Sequence, residues 1–547
     1  MSTSWTRSPA VAALAAAACL TSSAAAQPSA ERHPYRPTLD ALHYDLTIVL
    51  PDTGSRIAGR AAIALRRSAS ADTIVLDLLD LTVERAEVDG RPAEFRQDSA
   101  TVRIAVPTGT GDSLGVTVHY GGAVRDGLII RRDSATGRWT AFGDNWPNRA
   151  RHWIPSIDHP SDKATVTWTV EAPNSRTVVA NGVLVEETPI PDGRLRTVWR
   201  QAIPISTYLM VFGAAEMAMV SLGETACGLA ERPGCVPQAV YVDPGLRDYV
   251  PGPFAEAGAM VEFFARLVAP YPYEKLAHLQ SATRFGGMEN ATAIFYSDNA
   301  FRRRSVGTGL IAHEIAHQWF GNAVTEREWS HLWLSEGFAT YFGQLWTEHA
   351  RGDSAFQEGM RGVRNQIIGA NVVAERPVID TAQTNLLALL NVNSYQKGGF
   401  VLHMLRGVVG DSAFFGALRD YYRANLHGTA LTADLRHAVE RVHGAPLGWF
   451  FDQWLRRPGY AEISTRWRYD ASARRVILEV RQGNRWPPYR FPLAVAVRDA
   501  AGTGRRMIVE VEAAREQRIT LPVELDRAPA GLLIDPDVQL LATFTTH

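Results

Sequence analysis

The sequence has few cysteines, no long hydrophobic run and no excess of charge of either sign. Its 56 basic and 57 acidic side chains nearly cancel, which leaves no electrostatic basis for binding nucleic acid or an anionic membrane. The apolar run near the N-terminus has about a dozen residues, mostly alanine, whereas a membrane-spanning helix needs about 20. Internal repeats and long low-complexity tracts are also lacking, so the linkers are expected to be short. These absences are typical of a multidomain globular protein without a transmembrane segment in its mature form.

The first 26 residues have the plan of a secretory signal peptide. Arg7 supplies a positive charge, residues 9–20 form the apolar stretch, and three alanines precede Gln27 as a cleavage site. We therefore predict that residues 1–26 are removed and that the protein is exported to the periplasm or the extracellular space. A lipid anchor on Cys19 is the alternative, although the alanines before it lack the leucine usual in lipoprotein signals.

Only three cysteines occur in the chain, and removal of the signal peptide would leave Cys227 and Cys235, eight positions apart. In an oxidising compartment these two are expected to form a disulfide that closes a short loop, and two free thiols are the alternative. Their spacing fits neither a CxxC motif nor a structural zinc pattern, so we do not interpret them as metal ligands.

The 547 residues are too many for one hydrophobic core and predict roughly two to four domains. Between residues 44 and 219, short runs rich in Val, Ile and Thr alternate at period 2 with turn signals, which predicts an all-β domain. Period 2 returns after residue 460 and predicts a small β-sandwich. The predicted plan is a signal peptide at 1–26, an N-terminal β domain at 27–222, a central domain at 223–455 and a C-terminal β-sandwich at 456–547.

The middle of the chain has helical periodicity. Helices are predicted over residues 253–268, 307–320, 335–347, 397–409 and 413–425. The stretch HLQSATRFGGMENATAIFY, between the first two, has the character of extended chain and suggests a small sheet packed against the helices. The predicted class of this domain is α+β.

The second predicted helix carries a metal-binding motif. His313 and His317 are four positions apart, so both imidazoles lie on one helix face and can reach one ion. Zinc binds such nitrogens at about 2.0 to 2.1 Å, and a catalytic zinc has three protein ligands and an open position for water. Glu336, 19 positions after His317, is the best candidate for the third ligand. Glu314 lies between the histidines and points toward the water, where a general base belongs.

These four residues predict a peptidase that holds one zinc ion per chain. An HExxH sequence alone would occur by chance in about a few chains per hundred of this length, so it is weak evidence by itself. The helical context and the spacing of Glu336 favour a zinc site over a chance match.

The stretch HEIAHQWFGNAVTEREWSHLWLSEGFATYF resembles the zinc-site region of the aminopeptidase N family, gluzincins related to leukotriene-hydrolase-like enzymes. A second family signature, Gly-Ala-Met-Glu-Asn, has its counterpart in the residues Gly286, Gly287, Met288, Glu289 and Asn290. The change from Ala to Gly keeps a small residue, so this strand can still lie close to a peptide backbone.

The resemblance implies roles for two further side chains. Glu289 would bind the free α-ammonium group of a substrate, a charge-assisted contact worth about 1.5 to 3 kcal/mol. Such a contact distinguishes an exopeptidase from an endopeptidase. Tyr395, in SYQKGGFVLHML, matches the catalytic tyrosine of the family and would donate to the oxyanion. A tyrosine at the start of a helix more often serves packing alone, so this role depends on the resemblance.

The resemblance spans most of the mature chain. It implies a saddle-shaped N-terminal β domain, a thermolysin-like catalytic domain and a third, β-sandwich domain. The large C-terminal helical domain of many relatives has no counterpart before His547, so we expect a more open active site. Where relatives carry a glutamine that helps to hold the substrate's amino terminus, this chain has Gly143-Asp144-Asn145-Trp146, and either Asp144 or Asn145 is a candidate substitute.

The implied function is that of a zinc metallo-aminopeptidase, which hydrolyses the first peptide bond of peptides with a free amino terminus. Zinc would activate a water molecule, and Glu314 would pass its proton to the leaving amine. A zinc endopeptidase is the main enzymatic alternative, and epoxide hydrolysis is a minor one. A catalytically silent interaction scaffold of the same fold is the alternative from another class.

Overall fold

The computed structural model describes residues 36–68, 71–229, 234–499 and 504–546. The predicted signal peptide, with Arg7 and Cys19, lies outside these residues. Along the described chain, a region of strands is followed by helices with a mixed sheet and then by strands again. This order confirms the predicted N-terminal β domain, α+β catalytic domain and C-terminal β-sandwich.

The strands of the described residues are β1 Leu39–Val49, β2 Arg56–Arg67, β3 Thr73–Asp77, β4 Thr82–Val88, β5 Arg91–Pro92, β6 Phe95–Gln97, β7 Thr101–Ala105, β8 Ser113–Ala123, β9 Leu128–Arg132, β10 Trp139–Gly143, β11 Lys163–Pro173, β12 Thr177–Ala180, β13 Val183–Ile190, β14 Arg194–Ser206, β15 Phe212–Ala215, β16 Ala218–Thr225, β17 Val236–Val242, β18 Leu276–Ser281, β19 Gly287–Met288, β20 Ala293–Ser297, β21 Thr325–Glu326, β22 Thr429–Ala430, β23 Ala461–Asp470, β24 Arg475–Gln482, β25 Phe491–Arg498, β26 Gly504–Val511, β27 Glu516–Glu524, β28 Gly531–Ile534 and β29 Ala542–Thr546. The helices are α1 Ala257–Leu267, α2 Asp298–Arg302, α3 Thr308–His317, α4 Trp333–Arg351, α5 Asp353–Gly369, α6 Asn371–Glu375, α7 Gly398–Val409, α8 Asp411–Asn425, α9 Thr432–His443 and α10 Gly448–Leu455.

An eight-stranded sheet forms the frame of the N-terminal domain, in the order β13-β14-β11-β1-β2-β8-β4-β5. Every second side chain of β11 is buried, as expected for a strand with one face toward the core. A four-stranded sheet, β12-β15-β10-β9, packs nearby. In this core the rings of Trp153 and Trp168 stack at 5.6 Å, and Phe212 meets both edge-on.

The catalytic domain contains a five-stranded sheet in the order β16-β17-β18-β20-β19, which leaves the short strand β19 at an edge. The predicted boundary at residue 222 lies inside β16, and β16 pairs with β17 in this sheet. Cys227 and Cys235, between β16 and β17, are joined by a disulfide.

The five predicted helices correspond to α1, α3, α4, α7 and α8, with ends that differ by up to four residues. The largest consequence is at α3, which ends at His317, although its apolar pattern continues to Phe320. The chain turns there through Gly321, whose φ of +113° is a left-handed conformation open to glycine.

Two sheets form the C-terminal region, in the orders β27-β24-β23-β29 and β26-β25-β28. Buried side chains alternate along β24 and β25, which fits two sheets that share one apolar layer. Among the residues that the structure describes, no helix is both long enough and apolar enough to cross a membrane.

Candidate active site

Helices α3 and α4 bring the three predicted metal ligands together. The Nε2 atoms of His313 and His317 lie 3.1 Å apart. The Oε2 atom of Glu336, in the first turn of α4, lies 3.2 Å from the first of these nitrogens and 3.3 Å from the second. Because the histidines are one helical turn apart, a straight helix is enough to aim both at one point.

This triangle of donor atoms fits a zinc ion. Four ligands at about 2.0 to 2.1 Å in a tetrahedron are separated from one another by about 3.3 Å. The three spacings in the structure, 3.1, 3.2 and 3.3 Å, are close to that value. Two imidazoles and one carboxylate also form a donor set found in catalytic zinc sites, in which one position stays open.

The second histidine is held in the orientation that a metal ligand needs. Nδ1 of His317 lies 3.1 Å from the carbonyl oxygen of Phe320 and 3.1 Å from the hydroxyl of Ser335. A carbonyl oxygen only accepts, so Nδ1 carries a hydrogen and Nε2 is the ring nitrogen that faces the other ligands. The side chain is 1% exposed, which leaves the ring little freedom to turn.

The electrostatics of the site also favour a cation. Burial by itself lowers the pKa of His317, but the carboxylates of Glu289, Glu336 and Glu314 together raise that pKa to about 10. Burial raises the pKa of Glu336, and the two imidazoles outweigh this effect and hold it below its usual value. A place that stabilises a proton on a buried imidazole also stabilises a metal ion.

Glu314 lies beside this triangle. Burial raises the pKa of the Glu314 carboxyl well above its usual value, and the charges of Glu289 and Glu336 add to the effect. The carboxylate packs against Gly287, where an added Cβ would lie 2.1 Å from Oε1 of Glu314. The absence of a side chain at Gly287, which was expected to let a substrate backbone approach, therefore also makes space for the predicted base.

The segment from Gly286 to Glu289 lines one wall of the site, and part of it is the edge strand β19. The carboxylate of Glu289 has an oxygen within 4.8 Å of donor atoms of both Glu314 and His317. Burial raises the pKa of Glu289 to about 7. Asn290, the last residue of the signature, is fully buried and does not line the cleft, and its side-chain amide has no hydrogen-bond partner among the described residues.

Tyr395 closes the site from the other side. It lies in a π-helical turn, Asn393–Lys397, that leads into α7, and its ring stacks on His313 at 6.0 Å. Such turns are often found at functional sites. Burial, followed by the charges of Glu336 and Glu289, raises the pKa of Tyr395 well above its usual value. The phenol therefore keeps its proton and is able to donate a hydrogen bond.

The three metal ligands, Glu314, the segment from Gly286 to Glu289 and Tyr395 face one cleft of about 570 Å³. Trp146, the end of the stretch 143–146 that was considered for the substrate's amino terminus, forms part of its walls. The sequence did not single out the other wall residues, which are Phe285, Gly309, Leu310, Thr340, Gly343, Gln344, Thr347, Leu390 and Gln396. One signal was present: Thr340, Gly343 and Thr347 follow Glu336 at helical spacing and so share its face of α4.

Asp144 and Asn145, the two candidates for holding a substrate's amino terminus, are committed to other contacts. Asp144 accepts hydrogen bonds from Arg149 at 2.8 Å and from Thr283 at 3.1 Å. The Asn145 amide donates to the carbonyl oxygens of Thr207 and Met210, and the Trp153 indole donates to it. Neither residue lines the cleft, whereas the next residue, Trp146, does.

Comparison with known proteins places the chain in a family. The model of the peptidase family M1 domain matches residues 255–454, and that of the peptidase M1 N-terminal domain matches residues 40–209. Aminopeptidase M1 of Arabidopsis thaliana is 28% identical over 471 residues, which cover 77% of this chain and 51% of the relative. Leucyl aminopeptidase of Saccharolobus solfataricus is 26% identical over 429 residues, covering 75% and 52%. The chain thus spans about half the length of the curated relatives it matches.

Comparison with solved structures supports the same family. An M1 zinc metallopeptidase from Deinococcus radiodurans superposes with a TM-score of 0.68 at 26% identity, covering 77% of this chain and 94% of the other. Aminopeptidase A of Legionella pneumophila, solved with aspartic acid, has a TM-score of 0.79 at 17% identity, covering 93% and 60%, and shows a shared fold. The fold is shared with the M1 zinc metallopeptidase from Deinococcus radiodurans. The chain belongs to peptidase family M1.

Proposed function

We propose that the protein is a zinc-dependent aminopeptidase that removes the first residue of peptides with a free amino terminus. The observation that carries this proposal is the convergence of His313, His317 and Glu336 at zinc-ligand spacing beside the buried carboxylate of Glu289. The two imidazoles and the carboxylate of Glu336 suit a metal ion, and the carboxylate of Glu289 suits an ammonium group at a fixed distance from that ion. The curated relatives described above are named aminopeptidases, which supports the same activity.

The site residues divide the chemistry among them. When bound, a zinc ion polarises the scissile carbonyl and makes a water molecule more acidic. Glu314, beside the triangle of metal ligands, takes the proton of the attacking water and gives it to the leaving amine. The Tyr395 phenol donates to the oxygen on which negative charge develops.

The wall formed by β19 favours cleavage near a chain end. Its backbone is free to pair with an extended substrate, because β19 is the edge strand of its sheet. Glu289 directly follows this strand and is 5% exposed, so a carboxylate with little access to water meets the substrate at a defined point. An ammonium group there gains a charge-assisted contact that an acetylated amino terminus lacks.

The decisive experiment compares one peptide with a free and with an acetylated amino terminus, each with and without a zinc chelator. We expect hydrolysis of the free peptide alone, loss of that activity with chelator and its return on addition of zinc. Substitution Glu289→Ala is expected to raise KM for the free peptide by about 10- to 150-fold, the loss of a contact of about 1.5 to 3 kcal/mol. Equal cleavage of the acetylated peptide would instead establish an endopeptidase, and zinc binding without hydrolysis would support the silent scaffold.

We further propose that the protein is exported. The disulfide between Cys227 and Cys235 supports this, because such bonds persist in oxidising compartments. N-terminal sequencing of the mature protein is expected to begin at Gln27. A chain that retains Met1, or one that begins at a lipid-modified Cys19, would contradict cleavage after Ala26.

A further inference from the structure

A short loop after α3 connects the zinc-ligand helix to its surroundings. This loop, residues 319–324 and here called the His317 loop, contains Phe320, whose carbonyl oxygen lies 3.1 Å from Nδ1 of His317. The backbone N–H of Asn322 also donates to the carbonyl oxygen of His317 at 3.0 Å. A shift of the loop therefore moves the acceptor that sets the direction of the imidazole.

Two side chains of the N-terminal β domain donate hydrogen bonds to this loop. Lys163, the first residue of β11, donates through Nζ to the carbonyl oxygens of Asn322 at 2.8 Å and Ala323 at 3.1 Å. The hydroxyl of Tyr208, a residue that is 1% exposed, donates to the carbonyl oxygen of Gly321 at 2.9 Å. Three consecutive carbonyl groups of the loop are thus held by another domain.

The loop has little room to move without disturbing the ligand. An added Cβ at Gly321 would lie 2.3 Å from the hydroxyl of Ser335 and 2.9 Å from Nδ1 of His317. The side-chain amide of Asn322 donates to the carbonyl oxygen of Glu289 at 2.7 Å. The same loop therefore fixes the metal-ligand side and the amino-terminus side of the cleft.

We propose that Lys163 and Tyr208 are positioning residues of the zinc site, through which the N-terminal β domain holds the His317 loop and so the orientation of His317. The proposal rests on the proposed function in one respect, that zinc is the ion bound by His313, His317 and Glu336. Hydrogen-bond partners that orient ligand histidines contribute strongly to metal affinity, and here the orienting carbonyl is itself positioned from a second domain.

The competing explanation is that these hydrogen bonds only hold two domains together. Lys275 provides a matched control, because its Nζ also joins the two domains through backbone carbonyls. It donates to Ala180 in the N-terminal domain at 3.0 Å and to Thr292 in the catalytic domain at 2.8 Å. Within the part of the chain that the structure describes, its side-chain hydrogen bonds go to Ala180 and Thr292 and none goes to the His317 loop.

The test measures zinc affinity by competition with a chromophoric chelator in full-length Lys163→Met, Tyr208→Phe and Lys275→Met. We expect the first two variants to bind zinc about 10- to 100-fold more weakly than the wild type. Lys275→Met should bind zinc as the wild type does, even where its resistance to urea falls. Tyr208→Phe removes a single oxygen atom and carries the test alone if Lys163→Met does not fold.

Two results would overturn the proposal. One is wild-type zinc affinity in folded Tyr208→Phe and Lys163→Met, and the other is an equal loss of affinity in all three variants, which would assign the effect to domain adhesion. A wild-type protein that binds no zinc at this site would refute the proposed function itself. Failure of the positioning role and failure of the zinc enzyme are therefore distinguished by the wild-type measurement.

Discussion

Glu314 is the proposed general base, so the proposed chemistry depends on the proton that its carboxylate accepts from water. Its carboxyl is buried beside Gly287, and its raised pKa reflects burial first and the neighbouring carboxylates second. It is not needed to complete the triangle of His313, His317 and Glu336. Proton transfer and metal binding are therefore separable at this position.

We expect Glu314→Gln to lower kcat by about 100- to 10,000-fold, the range typical of general acid–base groups, and to leave zinc content unchanged. The amide keeps the shape of the side chain but cannot accept the proton of the attacking water. Steady-state kinetics and metal analysis of the purified variant check this. Glu358→Gln, an exposed substitution on α5, is the control and should match the wild type in both measurements. Turnover near the wild-type rate in Glu314→Gln would remove Glu314 from the mechanism.

At the scale of elements, the cleft follows helix α4 well beyond the zinc ligands. From Glu336 to Thr347 the lining residues of α4 extend over 11 positions, a rise of about 16 Å. An extended peptide of about five residues has the same length. Gly309 and Gly343 line this part of the cleft without side chains that would fill it. The backbones of α3 and α4 approach each other there, since an added Cβ at Gly343 would lie 3.6 Å from the carbonyl oxygen of Gly309.

We therefore predict that kcat/KM rises with peptide length up to about five residues after the cleaved bond. Gly309→Leu should abolish this rise and leave a dipeptide substrate unaffected, since the new side chain fills the groove one helical turn before His313. The position has free space around an added Cβ, so the helix should tolerate the change. Gly362→Leu on α5, which also has free space and does not line the cleft, is the control. A series of alanine peptides measures the dependence, and equal rates at all lengths would contradict it.

The zinc ligands and the base were predictable because they lie in one motif and the helix after it, where spacing fixes geometry. Lys163 and Tyr208 were not, because they reach the His317 loop across separations of 159 and 113 residues. Nothing in the sequence around a lysine at the start of a strand predicts a hydrogen bond to a loop of another domain. For Asp144 the sequence suggested a contact that the structure does not have. Its position in the sequence favoured a substrate contact, but its carboxylate forms an ion pair with Arg149. The order of domains, by contrast, followed from the change of hydrophobic period along the chain.

At the scale of the whole molecule, Lys275 places its side-chain amino group between the N-terminal and catalytic domains. Burial lowers the pKa of Lys275 from 10.5 to about 7. Between these two values the unfolded chain keeps a proton that the native protein has lost, so stability rises with pH. Below pH 7 the lysine is charged in both states, and its burial destabilises the native state by a constant amount.

The difference in free energy of unfolding between wild type and Lys275→Met should therefore shift in favour of the wild type as pH rises from 7 to about 10, by at most about 1.4 kcal/mol per pH unit. Below pH 7 the difference should become flat. Urea unfolding of both proteins at matched pH values measures it, and the comparison cancels every group that titrates equally in the two. A difference that stays constant from pH 7 to 10 would show that Lys275 remains charged in the native protein. The domain contact would then be an ammonium held by the carbonyl oxygens of Ala180 and Thr292, and not a neutral amine.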